Sequence, residues 1–444
     1  MIQTRFQAVA LMWLAAGLPL AAQNQVFVKR GTPQREGRAW TEIAECGGAA
    51  REGGRLVLRS DLGSVTVKPQ GNGRVACRVR IRAFTPNLEQ AEQLFRGFEL
   101  GAHTLDDGSL MISATLPSEY RWRRALSVHF DISTPKKFNL DIETNAGDLI
   151  IGDLDGELRG DTAGGDVQVG DVTGPVHVET KGGDIDLGLV AGRLEAQTAG
   201  GGIHARQVNG DAVMETSGGE ITAGAIAGSV TAVTSAGDIV LRGAKGPLRA
   251  ETAGGEIRIG NCGSSVRAET AAGSIRLQGA RGVVEAETAG GSIYLFRVES
   301  AVRAETSAGR IFAEISANHE AFAASHLATS VGDVDVFIPA DLPLSVDAAI
   351  EQAFGHRIVS DFPNLRCMGS QKALPGRVVH LEGGLNGGGK ILRIRTIMGD
   401  IEIHSANSPV LQEMRQHQEA FWSRWQEYWN SHCKVPKTTE DKPE

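Results

Sequence analysis

The residues of this chain best suited to chemistry come in repeated phrases. The doublet Gly254–Gly255 sits in "ETAGGEIRIG" (Glu251–Gly260), and near copies follow as "AETAGGSIYL" (Ala286–Leu295) and "AETSAGRIFA" (Ala304–Ala313). Paired glycines ahead of an aliphatic run can cradle a phosphate. A dinucleotide fingerprint, however, needs GxGxxG between a strand and a helix. No helical pattern follows any of these doublets, and no Walker A lysine is present. The expectation is structural: a corner where glycine permits positive φ and close stacking.

Aspartates come next. Asp166, Asp184 and Asp186 cluster with Asp148, Asp153 and Asp171 in phrases such as "GGDVQVGD", which share the grammar of calcium-binding β-rolls. The nine-residue period and the inner glycine of those repeats are missing, so a solvated acidic face is expected. Glu251, Glu269, Glu287 and Glu305 would repel one another as a stacked column, but Arg249, Arg267 and Arg303 stand two residues before three of them and can offset it. A glycosidase pair needs two carboxyls in unlike environments, whereas a repeated column makes them alike. His177 and His204 fall at different places in the pattern, and no Ser/His/Asp order is readable. Tyr294, Phe296 and Phe312 break an otherwise small or polar outward pattern. They fit either a sugar- or protein-binding platform or packing under a loop at 317–327. The candidate ligand-facing surface is therefore Tyr294, Phe296, Phe312, Asp166, Asp184 and Asp186. No catalytic, cofactor-binding or metal residues are assigned. The basic-aromatic knot "EYRWRR" (Glu119–Arg124) reads as a solvated strand face.

These residues are positioned by a repeat. Thr144, Thr162, Thr180, Thr198, Thr216, Thr234, Thr252, Thr270, Thr288 and Thr306 recur every 18 residues. With threonine as position 1, position 4 is always glycine and position 6 always aliphatic, as in Gly255 and Ile257. Position 8 is aliphatic or alanine, position 13 is glycine in most copies, and positions 15 and 17 are apolar. Positions 6 and 8, and then 15, 17 and 1, are spaced by two, the strand period. Two short strands per repeat cannot bury an apolar face alone, but stacked copies can. The fold class is thus all-β: a parallel β-solenoid of 18-residue coils, stacked about 4.8 Å apart. Right-handed winding is expected, because parallel crossovers default to it and the inward positions do not recur every six residues.

The ends depart from the repeat. "RLVLRSDLGSVTV" supplies a first coil with Ser60 in the threonine place. "CRVRIRAF" (Cys77–Phe84) and "GSLMISATL" (Gly108–Leu116) read as strands around a helix at "PNLEQAEQLFRGF" (Pro86–Phe98). Together they form a small α+β cap on the N-terminal end, after which "SVHFDIST" and "FNLDIET" return to the array. After Thr306 the next match is Thr329, five residues late, and "TIMGDIEI" restores one coil at Thr396. Ser408 and Pro409 open an amphipathic C-terminal helix that can meet a membrane surface, a partner or the rod's own end. Solenoid ends need capping, which favours the last.

The organisation follows: 1–22 signal peptide, 23–54 N-terminal segment, 55–139 first coil with its capping excursion, 140–339 solenoid repeats, 340–405 irregular C-terminal coils, 406–432 helix, 433–444 disordered tail. The first segment carries Arg5, an apolar run from Ala8 to Ala22 and small residues before Gln23, with cleavage expected near Ala22. The run is shorter than the roughly 20 residues of a membrane span; an uncleaved anchor is the alternative. Aromatics make up 5% of the 444 residues, and 56 are glycine, which argues against a conventional large core. A net charge of -8 argues against nucleic acid as a partner. Five cysteines leave at least one unpaired. Cys46 with Cys77 is the expected pair, and Cys262, at position 11, is expected to be a buried thiol.

The spaced "ETxGGxIxL" units, the leader and the C-terminal "EGGLNGGGKILRIRTIMGDIEI" together resemble the putative-adhesin family of bacterial extracytoplasmic β-strand-repeat proteins, over about Arg55 to Ile403. The resemblance implies an exported, periplasmic, cell-surface or secreted protein with an adhesin-like role, and it offers no catalytic residues to carry over. The expected function is non-catalytic: a solenoid in the cell envelope that binds a cell-surface glycan or an envelope protein, or serves structurally. A polysaccharide-active enzyme on a parallel β-helix and an envelope-stress accessory protein are the alternatives.

Overall fold

In the computed structural model the residues described are 26–71, 73–116, 125–368 and 378–432. The leader at 1–22, "EYRWRR" and the tail at 433–444 lie outside them. Each 18-residue coil contributes one strand to each of two parallel sheets. Sheet 1 is built from positions 15 to 1, for example Leu248–Thr252 and Val266–Thr270, paired with Thr252 opposite Thr270. Sheet 2 is built from positions 6 to 11, for example Ile257–Cys262 and Ile275–Ala280. The alternation decides what is inside: Ile257, Ile259, Val266 and Ala268 are buried, while Arg267 is exposed. Stacked coils thereby merge into one continuous core, which is how short strands with few aromatics still bury enough apolar surface.

The threonines are the second organising element. From Thr144 to Thr306, and again at Thr329 and Thr396, each buried hydroxyl donates to the position-4 glycine carbonyl of the coil below, at 2.8 to 3.1 Å. In the central coils the same oxygen also accepts the N–H of its own coil's glycine, as from Gly255 to Thr252 at 3.2 Å. The ladder therefore satisfies backbone groups that the corner takes out of sheet pairing.

The glycine expectation needs a correction. Positive φ occurs at Gly63 and Gly147 and at the late Gly332 and Gly399, but not at Gly255 or the other central copies. What those corners require is closeness: a Cβ on Gly255 would lie 2.0 Å from the Gly237 carbonyl oxygen, and one on Gly273 would lie 1.9 Å from that of Gly255.

Both ends are laid down out of order. Arg55–Ser60 and Ser64–Gly71 form a coil that pairs with Asn139–Thr144 and Leu149–Ile151 on one side. On its other side lie Leu110–Thr115 and Leu126–Pro135. "SVHFDIST" thus forms a coil outside the first one rather than rejoining the array, and "FNLDIET" then returns to the inner side. Antiparallel strands Arg74–Ala83 and Ala39–Ala49 continue sheet 2 beyond that outer coil. Helix α1 (Leu88–Gly97), capped by Asn87 accepting from the Gln90 N–H, follows Arg74–Ala83 in the chain. At the far end, Lys390–Met398 and Ile401–Ser405 stack directly on the Thr329 coil. The earlier Leu344–Ile350 and Ile358–Ser360 lie outside them, and Val379–Leu385 pairs antiparallel to Leu344–Ile350. The end strands thus gain partners instead of presenting long open edges.

Helix α2 (Pro409–His432) does not cap the end. It runs back along the outer face of sheet 2, with Leu411 fully buried against Phe296, Phe312 and Phe337. Further along it, the Arg258 guanidinium sits 5.4 Å from the Phe421 ring centre. Among the described residues no helix is long and apolar enough to cross a membrane.

Candidate functional site

The sequence-predicted surface splits into two groups with different fates. Phe296 and Phe312 are buried, and Tyr294 packs at the edge of the same cluster. The expected alternative cover, a loop at 317–327, is corrected too: the side chains on top of them are Leu411 and Met414 of α2. The rings come from successive coils but not from paired positions: Phe312 is the register partner of Tyr294, and Phe337 that of Glu314. They meet diagonally, with centres 4.8 Å apart for Phe296–Phe312 and 5.1 Å for Phe312–Phe337. Arg415 of α2 forms an ion pair with Glu314, whose side chain is only 1% exposed. An apolar stripe and one buried charge therefore hold the helix down.

The aspartates are occupied by the backbone. Asp148 Oδ1 accepts the Asp166 N–H, Asp166 Oδ1 accepts that of Asp184, and Asp184 Oδ1 accepts that of Gly202, at 2.8 to 3.1 Å. Asp153 and Asp171 do the same along a second column. Oxygens committed to N–H groups one coil on are not arranged as a calcium cup. Asp186 stands opposite His204; burial pushes its pKa up, and His204 pulls the other way. On sheet 1 the Arg and Glu columns interlock, with Arg267 reaching both Glu269 and Glu285 and Arg303 meeting Glu305 at 2.8 Å.

Two sets of side chains among those described bring three metal-ligating atoms within 4.8 Å of one another: Asp335 with Glu402 and His404, and Asp161 with His177 and Glu179. Such mixed carboxylate–imidazole donors suit a divalent cation. In the first set the charge is met locally. Arg310 Nε lies 3.2 Å from Asp335, while the His404 ring nitrogens lie 3.0 Å from Glu402 and 3.3 Å from Asp361. Burial pushes the Asp335 carboxyl up despite Arg310. The repeat alone does not reveal this set, because the excursion at 340–390 separates its members in the chain.

An asymmetric groove of about 430 Å³ lies on the corner that follows the sheet 2 strands. Arg242 (position 9), Lys245 and Arg281 (both position 12) line it, with the amides of Gln207, Asn209 and Asn261. These three cations make no side-chain hydrogen bond or ion pair among the described residues, unlike Arg258, Arg267 or Arg310. The wall is glycine-lined for a steric reason: Gly243, at φ +146, would place a Cβ 2.1 Å from the Asn261 carbonyl oxygen. Cys262 is buried beneath it, its thiol pushed up to about 11 by desolvation. Beside the groove the register shifts between Leu295 and Val298, where Arg297 takes φ 46. That turn lets its guanidinium donate to the Gln278 carbonyl at 3.2 Å and to Asn261 Oδ1 at 3.3 Å. Lys245 and Arg281 occupy the same position two coils apart, so their backbones are about 9.6 Å apart along the axis by coil spacing. No carboxylate lines the groove. The signal was legible in principle: on the 18-residue grid from Thr144 to Thr306, position 12 turns basic only at Lys245 and Arg281, and position 9 only at Arg206 and Arg242.

No family model and no curated protein matches the chain. Two solved structures are similar to it. One, described as a putative adhesin from Bacteroides fragilis, is 14% identical, with 55% of this chain and 98% of that one covered and a TM-score of 0.29. The other, described as a putative cell adhesion protein from Clostridium sporogenes, is 10% identical, with 84% and 100% covered and a TM-score of 0.17. At those scores the overlaps carry no argument for function.

Proposed function

We propose that this protein is an exported, non-catalytic, adhesin-like binding module of the bacterial cell envelope, and that the Arg242–Lys245–Arg281 groove takes an anionic envelope glycan. One observation carries the reading: three unpaired cations share a groove on a chain whose net charge is -8. Elsewhere on the solenoid the charges described above are largely matched in columns. Unpaired guanidinium and ammonium groups beside amide donors suit carboxylate or sulfate oxygens. The axial repeat of the cations suits a chain lying along the rod. A binding role also agrees with the groove's lining, which lacks the two carboxyls that glycoside hydrolysis ordinarily uses.

The test is binding of the purified protein to polygalacturonate and dextran sulfate, with unsulfated dextran as the neutral control. Binding to the anionic polymers that weakens with salt, and that falls at least tenfold in Arg242→Glu/Arg281→Glu, is the expected result. Equal binding to neutral dextran, or no binding to either anionic polymer, overturns the proposal. Release of reducing ends from any of these polymers would replace it with the enzyme reading.

A further inference from the structure

The N-terminal cap holds two cysteines that are distant in sequence and opposed in space. Cys46 of Ala39–Ala49 and Cys77 of Arg74–Ala83 are direct register partners in an antiparallel pair. Both are buried, at 1% and 4% exposure, and both stand as thiols in this structure. The Cys77 thiol donates a hydrogen bond to Cys46 and is buried, and these together hold it well above the ordinary thiol range. Directly opposed residues in an antiparallel pair have Cα atoms about 4.5 to 5.5 Å apart, inside the roughly 4.4 to 6.8 Å window that a disulfide needs. Their neighbours in register, Ala44 with Val79 and Trp40 with Ala83, show a regular ladder on one side of the pair, so the backbone is already set for a bridge.

We propose that Cys46 and Cys77 form an intramolecular disulfide that fastens the cap to the rod. Its place gives it a purpose. Arg74–Ala83 pairs with the outermost coil strand, Leu126–Pro135, and Ala39–Ala49 pairs beyond it. A covalent link between the two ties the outer cap strand to the strand that closes the solenoid. The oxidant is a reactive disulfide of the thiol–disulfide oxidoreductase or glutathione class. One cysteine thiolate attacks a sulfur of that disulfide, giving a mixed disulfide and releasing one thiol. The second cysteine then displaces the other thiol. The S–S bond forms, two protons leave the cysteines, and the two electrons end on the oxidant as a dithiol. Because the thiolate is the attacking species, the burial that raises the Cys77 pKa makes the folded dithiol slow to react. The bridge therefore forms while the cap is still assembling or transiently open. Cys262, buried under the groove many coils away, has no such partner among the described residues and serves as an internal control.

The experiment uses the full chain, refolded in an oxidised/reduced glutathione buffer, alkylated without reduction, digested and mapped by mass spectrometry. The expected result is a linked peptide pair containing Cys46 and Cys77, two hydrogens lighter than the sum of its parts, with Cys262 alkylated. Recovery of Cys46 and Cys77 both alkylated, or linked to Cys367 or Cys433 instead, overturns the proposal. As a second measurement, the urea midpoint of the wild type rises on oxidation while that of Cys46→Ala/Cys77→Ala does not respond to the buffer. An equal response in both proteins would also overturn it. Neither readout depends on glycan binding, so this inference and the proposed function fail separately.

Discussion

Thr252→Val tests whether the threonine ladder, rather than apolar stacking alone, holds the coils in place. Valine keeps the volume and the β-branch and removes only the hydroxyl. That hydroxyl, on a residue 7% exposed, donates to the Gly237 carbonyl at 2.9 Å and accepts the Gly255 N–H at 3.2 Å. Neither backbone group gains another partner in the corner geometry. A buried polar group left unsatisfied costs about 1–3 kcal/mol, so two such groups cost about 2–6 kcal/mol. The added buried methyl returns about 0.8 kcal/mol. The net expectation is about 1–5 kcal/mol. Thr252→Ser keeps both hydrogen bonds and loses one methyl, about 0.8 kcal/mol by the same scale. Long repeat arrays do not unfold as one cooperative unit, so a global melting curve would blur the effect. Native-state hydrogen exchange at the amides of Gly255 and its neighbours reads the local opening free energy directly. The expected order is wild type, then serine, then valine, with the valine loss confined to coils near position 252. If valine costs no more than serine, the ladder contributes nothing beyond shape, and the argument from buried backbone satisfaction is wrong.

Gly255→Ala is expected to be severely destabilising, because its Cβ must displace the Gly237 carbonyl, whereas Gly254→Ala meets nothing nearer than the Ala236 carbonyl oxygen at 3.5 Å and is expected to be near neutral; equal urea midpoints for the two would refute the close-approach account. Arg415→Gln strips the buried Glu314 of its half-exposed ion-pair partner; a buried polar group left unsatisfied costs about 1–3 kcal/mol, which the helix escapes by undocking. Faster proteolysis within α2 and new dye binding by exposed Phe296 and Phe312 would report it, and an equally protected helix would count against the strapped arrangement. Asp347 accepts from Arg395 at 2.6 Å and His380 at 2.9 Å, and the Arg395 bond above all holds its carboxyl well below the usual range. A depressed folded pKa gives stability that is present above about pH 3.9 and lost as pH falls towards the folded value. Asp347→Asn should therefore cost about 1–3 kcal/mol at pH 7 and progressively less below about pH 4; a pH-independent difference in urea midpoint would refute the assignment.

What could be read in advance was whatever one coil repeats from the next. An alternation that survives ten copies states its own register, so Ile257, Ile259, Val266, Ala268 and Thr252 could be placed inside before any coordinates. The same averaging hid what is particular to single coils. Nothing in an 18-residue grid says that Leu126–Pro135 stacks outside Ser64–Gly71, or that Lys390–Ser405 fills the gap beneath the earlier Leu344–Ser360. Both follow from the need to close two open ends, which is a property of the whole rod. Tyr294, Phe296 and Phe312 did announce themselves by breaking the outward pattern, but a broken pattern marks contact without naming the partner. The partner is α2: Leu411 and Met414 lie on its apolar side, and the aromatic stripe they cover lies on sheet 2. Two apolar faces in one chain are each other's simplest partners, and with both covered the groove at Arg242, Lys245 and Arg281 is the surface left for a ligand.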